Sequence, residues 1–158
     1  MVYMLLGTGF EETEAIAPLD LLRRAGVQAA TVGINGKVVY GSHKIGIEAD
    51  MEIGEMDLTN LDMIVLPGGL GGVASIKASQ PALEAVRFAW ENGKYVAAIC
   101  AGPTILAQLG ITDGKTPPAT PAAKARWAAP TWCRPLPSPT VRSSPAPPRA
   151  VPFPSAWH

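Results

Sequence analysis

The chain has 158 residues, enough for one domain with a sizeable core. Its net charge of zero hides two unlike parts: residues 1–115 carry eight Lys/Arg against thirteen Asp/Glu, while residues 116–158 carry five Lys/Arg, no acid and twelve of the sixteen prolines. An acidic body with no basic face excludes phosphate neutralisation, so no nucleic-acid partner is expected. The apolar start "MVYMLLGTGFEE" is too short for a bilayer and lacks the basic flank of a secretion signal, so no membrane association is expected either. Two cysteines, Cys100 and Cys133, stand in compositionally unrelated regions and read as free thiols of a reducing, cytoplasmic compartment.

In chain order, "VYMLL" (2–6) is a short apolar run ended by "GTG", the pattern of a strand buried on both faces. Residues 13–26 place Ala15, Ile16, Leu19, Leu22 and Ala25 at helical spacing, with Thr13 the expected cap and Gly26 the expected stop. Pro18 should bend the early part of that helix. Residues 27–33 return as a strand, and Gly36 and Gly41 then punctuate a small hairpin-like excursion. "LDMIVLPGG" (61–69) is the next buried strand. Residues 80–93 read as a helix with Pro81 at its start, 94–99 as another strand, and 101–110 as a helix closed by Gly110. This β-α-β-α order predicts a parallel sheet covered by helices on both faces.

In such sheets ligands sit beyond the carboxyl ends of the strands. Three strand-end turns are available here: "GTGFEETE", "LPGGLGG" and "ICAGP". In the last, Cys100 occupies a strand-to-helix turn among small residues, the form of a nucleophile elbow, and the N–H groups of the following helix favour thiolate over thiol. The competing reading is an inert cysteine buried in a core strand. "LPGGLGG" lacks the spacing of a phosphate loop; as backbone donors to a reacting oxygen, Gly68 and Gly69 together with Ala101 fit better. Glu11 and Glu12 suit a helix start and need no further role. Glu14 heads the helix right after the first strand, where its carboxyl can reach Cys100 and shuttle a proton. His43 lies far along the chain from each turn and is read as a surface residue. Two isolated histidines and two isolated cysteines give no metal-ligand spacing, so no metal is expected.

"GFEETEAIAPLDLLRRAG", "VLPGG" and "AAICAGPTIL", in this order, resemble the ThiJ/PfpI superfamily, in particular its parkinsonism-associated deglycase branch. The resemblance covers residues 1–115 and implies a flavodoxin-like three-layer α/β sandwich, usually a homodimer. It places a reactive cysteine at Cys100, its glutamate partner at Glu14, and backbone donors at Gly69 and Ala101. It also implies a cofactor-free enzyme of small 2-oxoaldehydes such as methylglyoxal, or of glycated proteins. A redox sensor or chaperone with an oxidisable cysteine, active in the stress response, and an amide hydrolase of the superfamily's peptidase branch are the alternatives.

The resemblance stops after "GITDGK". Residues 116–158 are expected to form no strands or helices, leaving the domain without its last strands and closing helix. A natural proline-rich tail is one account; a shifted reading frame near codon 116 is preferred. Codons compatible with Pro118 onward, read from the third base, permit strings that resemble the family's continuation. A shortened chain of this kind is expected to be weakly stable, and its activity is put in doubt.

Overall fold

All five residues of the first strand, β1 (Val2–Leu6), are buried, because the strand runs through the middle of a parallel sheet with helices above and below it. The computed structural model describes residues 1–111. The expected boundary at residue 115, the proline-rich tail and the account of its origin lie outside them. Elements follow in the order β1, α1 (Glu12–Arg24), β2 (Ala29–Gly33), β3 (Val38–Tyr40), β4 (Gly46–Glu48), β5 (Met51–Glu52), β6 (Met63–Leu66), α2 (Leu70–Ala78), α3 (Gln80–Glu91), β7 (Tyr95–Ala98) and α4 (Pro103–Gln108). The main sheet has the order β5-β2-β1-β6-β7, and each of its pairings is parallel. The antiparallel pair β3–β4 forms a separate hairpin, the expected excursion.

Side chains alternate across a strand, so β1 feeds two cores at once. Tyr3 and Leu5 join the larger cluster under α2, α3 and α4, with Ile64, Leu66, Val86 and Ile105. Met4 and Leu6 join the other, with Phe10, Ala15 and Leu19 from the α1 side and Val39 from the hairpin. Leu5 and Leu6 are both wholly inaccessible, each burial favouring the fold by about 1.5–3 kcal/mol.

Helix boundaries show where local chemistry acts. α1 ends as expected: Gly26 N–H donates to the Arg23 carbonyl and Val27 N–H to that of Leu22, the paired bonds of a glycine-terminated helix. Its start differs. The helix begins at Glu12 with Glu11 in the cap position, and Thr13 lies exposed within the first turn, because the strand-end turn delivers helical backbone one residue earlier than a threonine cap requires. A second difference is α2. "LPGGLGG" is a turn only as far as Gly69; Leu70 opens a helix that keeps its own glycines, since Gly72 packs directly on the Phe10 backbone and has no room for a side chain. Ser79 closes α2 and opens α3, accepting a hydrogen bond from Ala82 N–H, with Pro81 in the first turn.

Strand order reverses between β1 and β6: the chain leaves β1 for β2 on one side, then returns to β6 on the other. Parallel sheets open a crevice at such a point beyond the carboxyl ends of the strands. Among the described residues no helix is long and apolar enough to cross a membrane.

Candidate active site

The turn after β7 is sharp. Gly102 N–H donates to the Ile99 carbonyl at 2.8 Å, which forces Cys100 into left-handed backbone, φ 56°. That conformation costs an ordinary residue roughly 1–2 kcal/mol. The surrounding bonds hold it: Ile99 N–H donates to the Leu66 carbonyl, and Thr104 donates to the Ala101 carbonyl through both its N–H and its hydroxyl. Cys100 is lifted out of the sheet and exposed, so the reading of a buried, inert core cysteine does not hold.

Glu14 stands in the first turn of α1, and its Oε2 accepts a hydrogen bond from Gly68 N–H at 2.8 Å. The Gly68 carbonyl in turn accepts from Glu11 N–H at 3.0 Å, so the turn after β6 is stitched to the start of α1 through one residue. A β-carbon on Gly68 would lie 2.6 Å from Glu14 Oε2, 2.7 Å from the Cys100 β-carbon and 3.2 Å from the Ala101 nitrogen. Gly68 is therefore the point where the carboxylate, the cysteine and the Ala101 amide converge, and only glycine leaves space for all three. Its N–H is committed to Glu14, so Gly68 does not serve as a free donor to a reacting oxygen; it positions the carboxylate instead. Gly69, at φ 87°, turns the chain into α2, and the amides of Gly69 and Ala101 have no hydrogen-bond partner among the described residues.

These groups open into one cleft of about 610 Å³, lined among others by Thr8, Glu11, Glu14, Gly69, Cys100 and Ala101. Its remaining wall comes from the hairpin: Tyr40, Gly41, Ser42 and Lys44. No local pattern announces this wall, because the contacts that seat the hairpin tip span about thirty positions. Ser42 N–H donates to the Phe10 carbonyl and Gly9 N–H to that of Tyr40. Glu12, read from the sequence as needing no role beyond the helix start, is buried and holds the tip: His43 N–H donates to its Oε1 at 2.7 Å, His43 Nδ1 lies 2.9 Å from its Oε2, and the Ser42 hydroxyl donates to the same oxygen. Burial alone would raise the Glu12 pKa; these donors outweigh it and bring it from the ordinary 4.5 to about 2. The hydrogen bond to Glu12, with the nearby Glu11 and Glu12 charges, raises that of His43 above its ordinary 6.5. His43 is thus exposed, as expected, but it is engaged.

Glu11, Glu12 and His43 place ligand atoms within 4.8 Å of one another, an assembly invisible in the sequence. The Glu12 oxygens are taken by hydrogen-bond donors, and we assign no metal there.

A model of the DJ-1/PfpI family matches residues 1–133, running past Lys115, where the sequence motifs stop. The chain belongs to the DJ-1/PfpI family. The protein dj-1beta of Drosophila melanogaster is 37% identical over 122 residues, 77% of this chain and 65% of that protein. The deglycase PfpI of Pyrococcus furiosus is 30% identical over 114 residues, 72% of this chain and 68% of that protein. Among solved structures, Toxoplasma gondii DJ-1, described as oxidized, superposes with a TM-score of 0.68 at 30% identity, covering 72% of this chain and 62% of that one. The chain thus spans about two thirds of the length of each of these three family members. Its flavodoxin-like α/β architecture is that of the family.

Proposed function

We propose that this DJ-1/PfpI family member is a cofactor-independent cysteine enzyme of small 2-oxoaldehydes such as methylglyoxal. The observation that carries the reading is the convergence at Gly68 of the Glu14 carboxylate, the Cys100 side chain and the Ala101 amide. The deglycase name of a relative supports the same class of carbonyl chemistry, with free aldehyde or glycated protein as substrate.

The Cys100 thiolate adds to the aldehyde carbon, and the oxygen takes a proton to complete a hemithioacetal. Gly69 and Ala101 N–H groups stabilise the charge on oxygen as it develops. Glu14 removes the proton from the former aldehyde carbon and returns it to the neighbouring carbonyl carbon, leaving a 2-hydroxy thioester. Water hydrolyses the thioester, giving a 2-hydroxy acid and the free thiol. Substrate plus water equals product, and no outside oxidant or reductant takes part. The test is lactate formation from methylglyoxal. Cys100→Ser should abolish it, and Glu14→Gln should lower it by roughly 10²–10⁴-fold, the range of a lost acid–base group.

A second reading rests on the exposed Cys100 and on the oxidized state named for the Toxoplasma relative. In it the chain is a redox sensor whose Cys100 goes to a sulfinic acid held by Glu14. Turnover that survives Cys100→Ser, with peroxide converting wild-type Cys100 to a stable sulfinic acid, would favour the sensor.

A further inference from the structure

Among the described residues only two other than glycine have left-handed backbone, Cys100 at φ 56° and Lys44 at φ 68°, and both line the same cleft. For Cys100 the conformation presents a nucleophile. For Lys44 it comes from the tip of the β3–β4 hairpin, where Lys44 N–H donates to the Gly41 carbonyl and Gly41 N–H to that of Ile45. Such a position is ordinarily given to glycine, so a lysine here is held at a cost to the fold. The tip is also anchored: Glu12, Phe10 and Glu11 all accept hydrogen bonds from Ser42 or His43, which fixes the backbone on either side of the lysine.

The cleft's two carboxylates are turned toward groups other than Lys44: Glu14 accepts from Gly68 N–H, and Glu11 lies 3.7 Å from His43 Nδ1 and shares the one Ser42 hydroxyl proton with Glu12. Lys44 has no ion-pair or hydrogen-bond partner for its ammonium group among the described residues, whereas Lys37 of the same hairpin pairs with Glu48. A cation facing a cleft that holds a carbonyl-attacking thiol selects for an anion on the same substrate. The cleft, about 610 Å³, falls in the range of sites for ligands far larger than a three-carbon aldehyde.

We propose that Lys44 is a specificity-determining residue, binding the carboxylate of an oxoaldehyde whose aldehyde carbon meets Cys100. Anionic oxoaldehydes are then better substrates than neutral ones of equal size. The substrate preference rests on the activity proposed above, but the charge preference of the cleft does not.

The test is therefore made twice on the full chain. First, Cys100 is alkylated with iodoacetate or iodoacetamide, a carboxylate and an amide of the same size, and the two rates are read by mass spectrometry of its peptide. The ratio of the iodoacetate to the iodoacetamide rate should fall by roughly threefold to fivefold in Lys44→Gly, the effect expected of one partly exposed charge pair. Lys44→Arg should keep the ratio, and so should Lys37→Ala. Glycine suits left-handed backbone better than lysine, so Lys44→Gly should melt no lower than wild type, and the loss cannot come from unfolding. Second, kcat/KM is compared for 4,5-dioxopentanoate and its amide; wild type should favour the carboxylate and Lys44→Gly should not. An alkylation ratio unmoved by Lys44→Gly, or moved as far by Lys37→Ala, overturns the proposal. No turnover of either aldehyde, with the alkylation ratio behaving as stated, leaves Lys44 as the anion-selecting group and removes the oxoaldehyde activity instead.

Discussion

β1 and β7 are both parallel strands of the same sheet, and each ends in a turn that supplies one half of the site. β1 pairs on both sides, with β2 and with β6, and every residue is buried. β7 pairs with β6; Val96, Ala97 and Ala98 are half-buried and Tyr95 is exposed. Glu14 follows the deeply packed strand, and Cys100, the proposed nucleophile, follows the shallow one. Gly68, after the strand between them, touches both. Labour is divided between them: the packed half fixes where Glu14 stands, while the exposed half leaves the thiol open to solvent.

If packing is as unequal as this, the two strands should respond unequally to truncation. Leu5→Ala removes a wholly buried side chain beneath α2–α4 and should cost about 2–5 kcal/mol in urea unfolding. Val96→Ala on β7 should cost only about 1 kcal/mol. Equal losses would erase the contrast.

The link between the halves is sharpened by Gly68→Ala. The added methyl must displace the Glu14 carboxylate or the Cys100 side chain, and a shift of that kind lowers turnover by about 10²-fold. A loss of stability without a loss of kcat would instead make Gly68 a packing residue alone.

The smallest effect is expected at the cleft's other wall. The depressed Glu12 pKa stabilises the fold above its ordinary 4.5 and loses that contribution as pH falls toward about 2. The raised His43 pKa contributes fully below its ordinary 6.5 and is lost as pH rises through its higher folded value. The wall is thus held most firmly between about pH 4.5 and 6.5. Melting temperatures of wild type and His43→Gln should differ most in that window and converge at higher pH; a gap that widens with pH would contradict the pairing.

What the sequence disclosed follows the same division. β1 was legible because a strand buried on both faces must be apolar at every position, and Cys100 because small residues must flank a sharp strand-to-helix turn. Glu14 was legible from its place one turn after β1. α2 was hidden because its glycines, needed where Gly72 meets Phe10, look like loop residues in isolation. Glu12 was hidden because an acid at a helix start has a sufficient local reason to be there, and its burial depends on donors from Ser42 and His43, about thirty residues away. The sequence reading placed Gly68 at the right turn but took its N–H for a donor to a reacting oxygen; that N–H meets the Glu14 carboxylate, a pairing made where the turn after β6 reaches the start of α1 and not by any local spacing.

On the proposed mechanism the fold makes Cys100 a reactive, accessible nucleophile. The most direct measurement is its rate of alkylation by iodoacetamide near neutral pH, in the folded chain and in the same chain unfolded in urea, each read from the Cys100 peptide by mass spectrometry. The expected rate is at least about tenfold higher in the folded state, as for cysteines at activated turns. An equal or slower rate in the folded chain would contradict it.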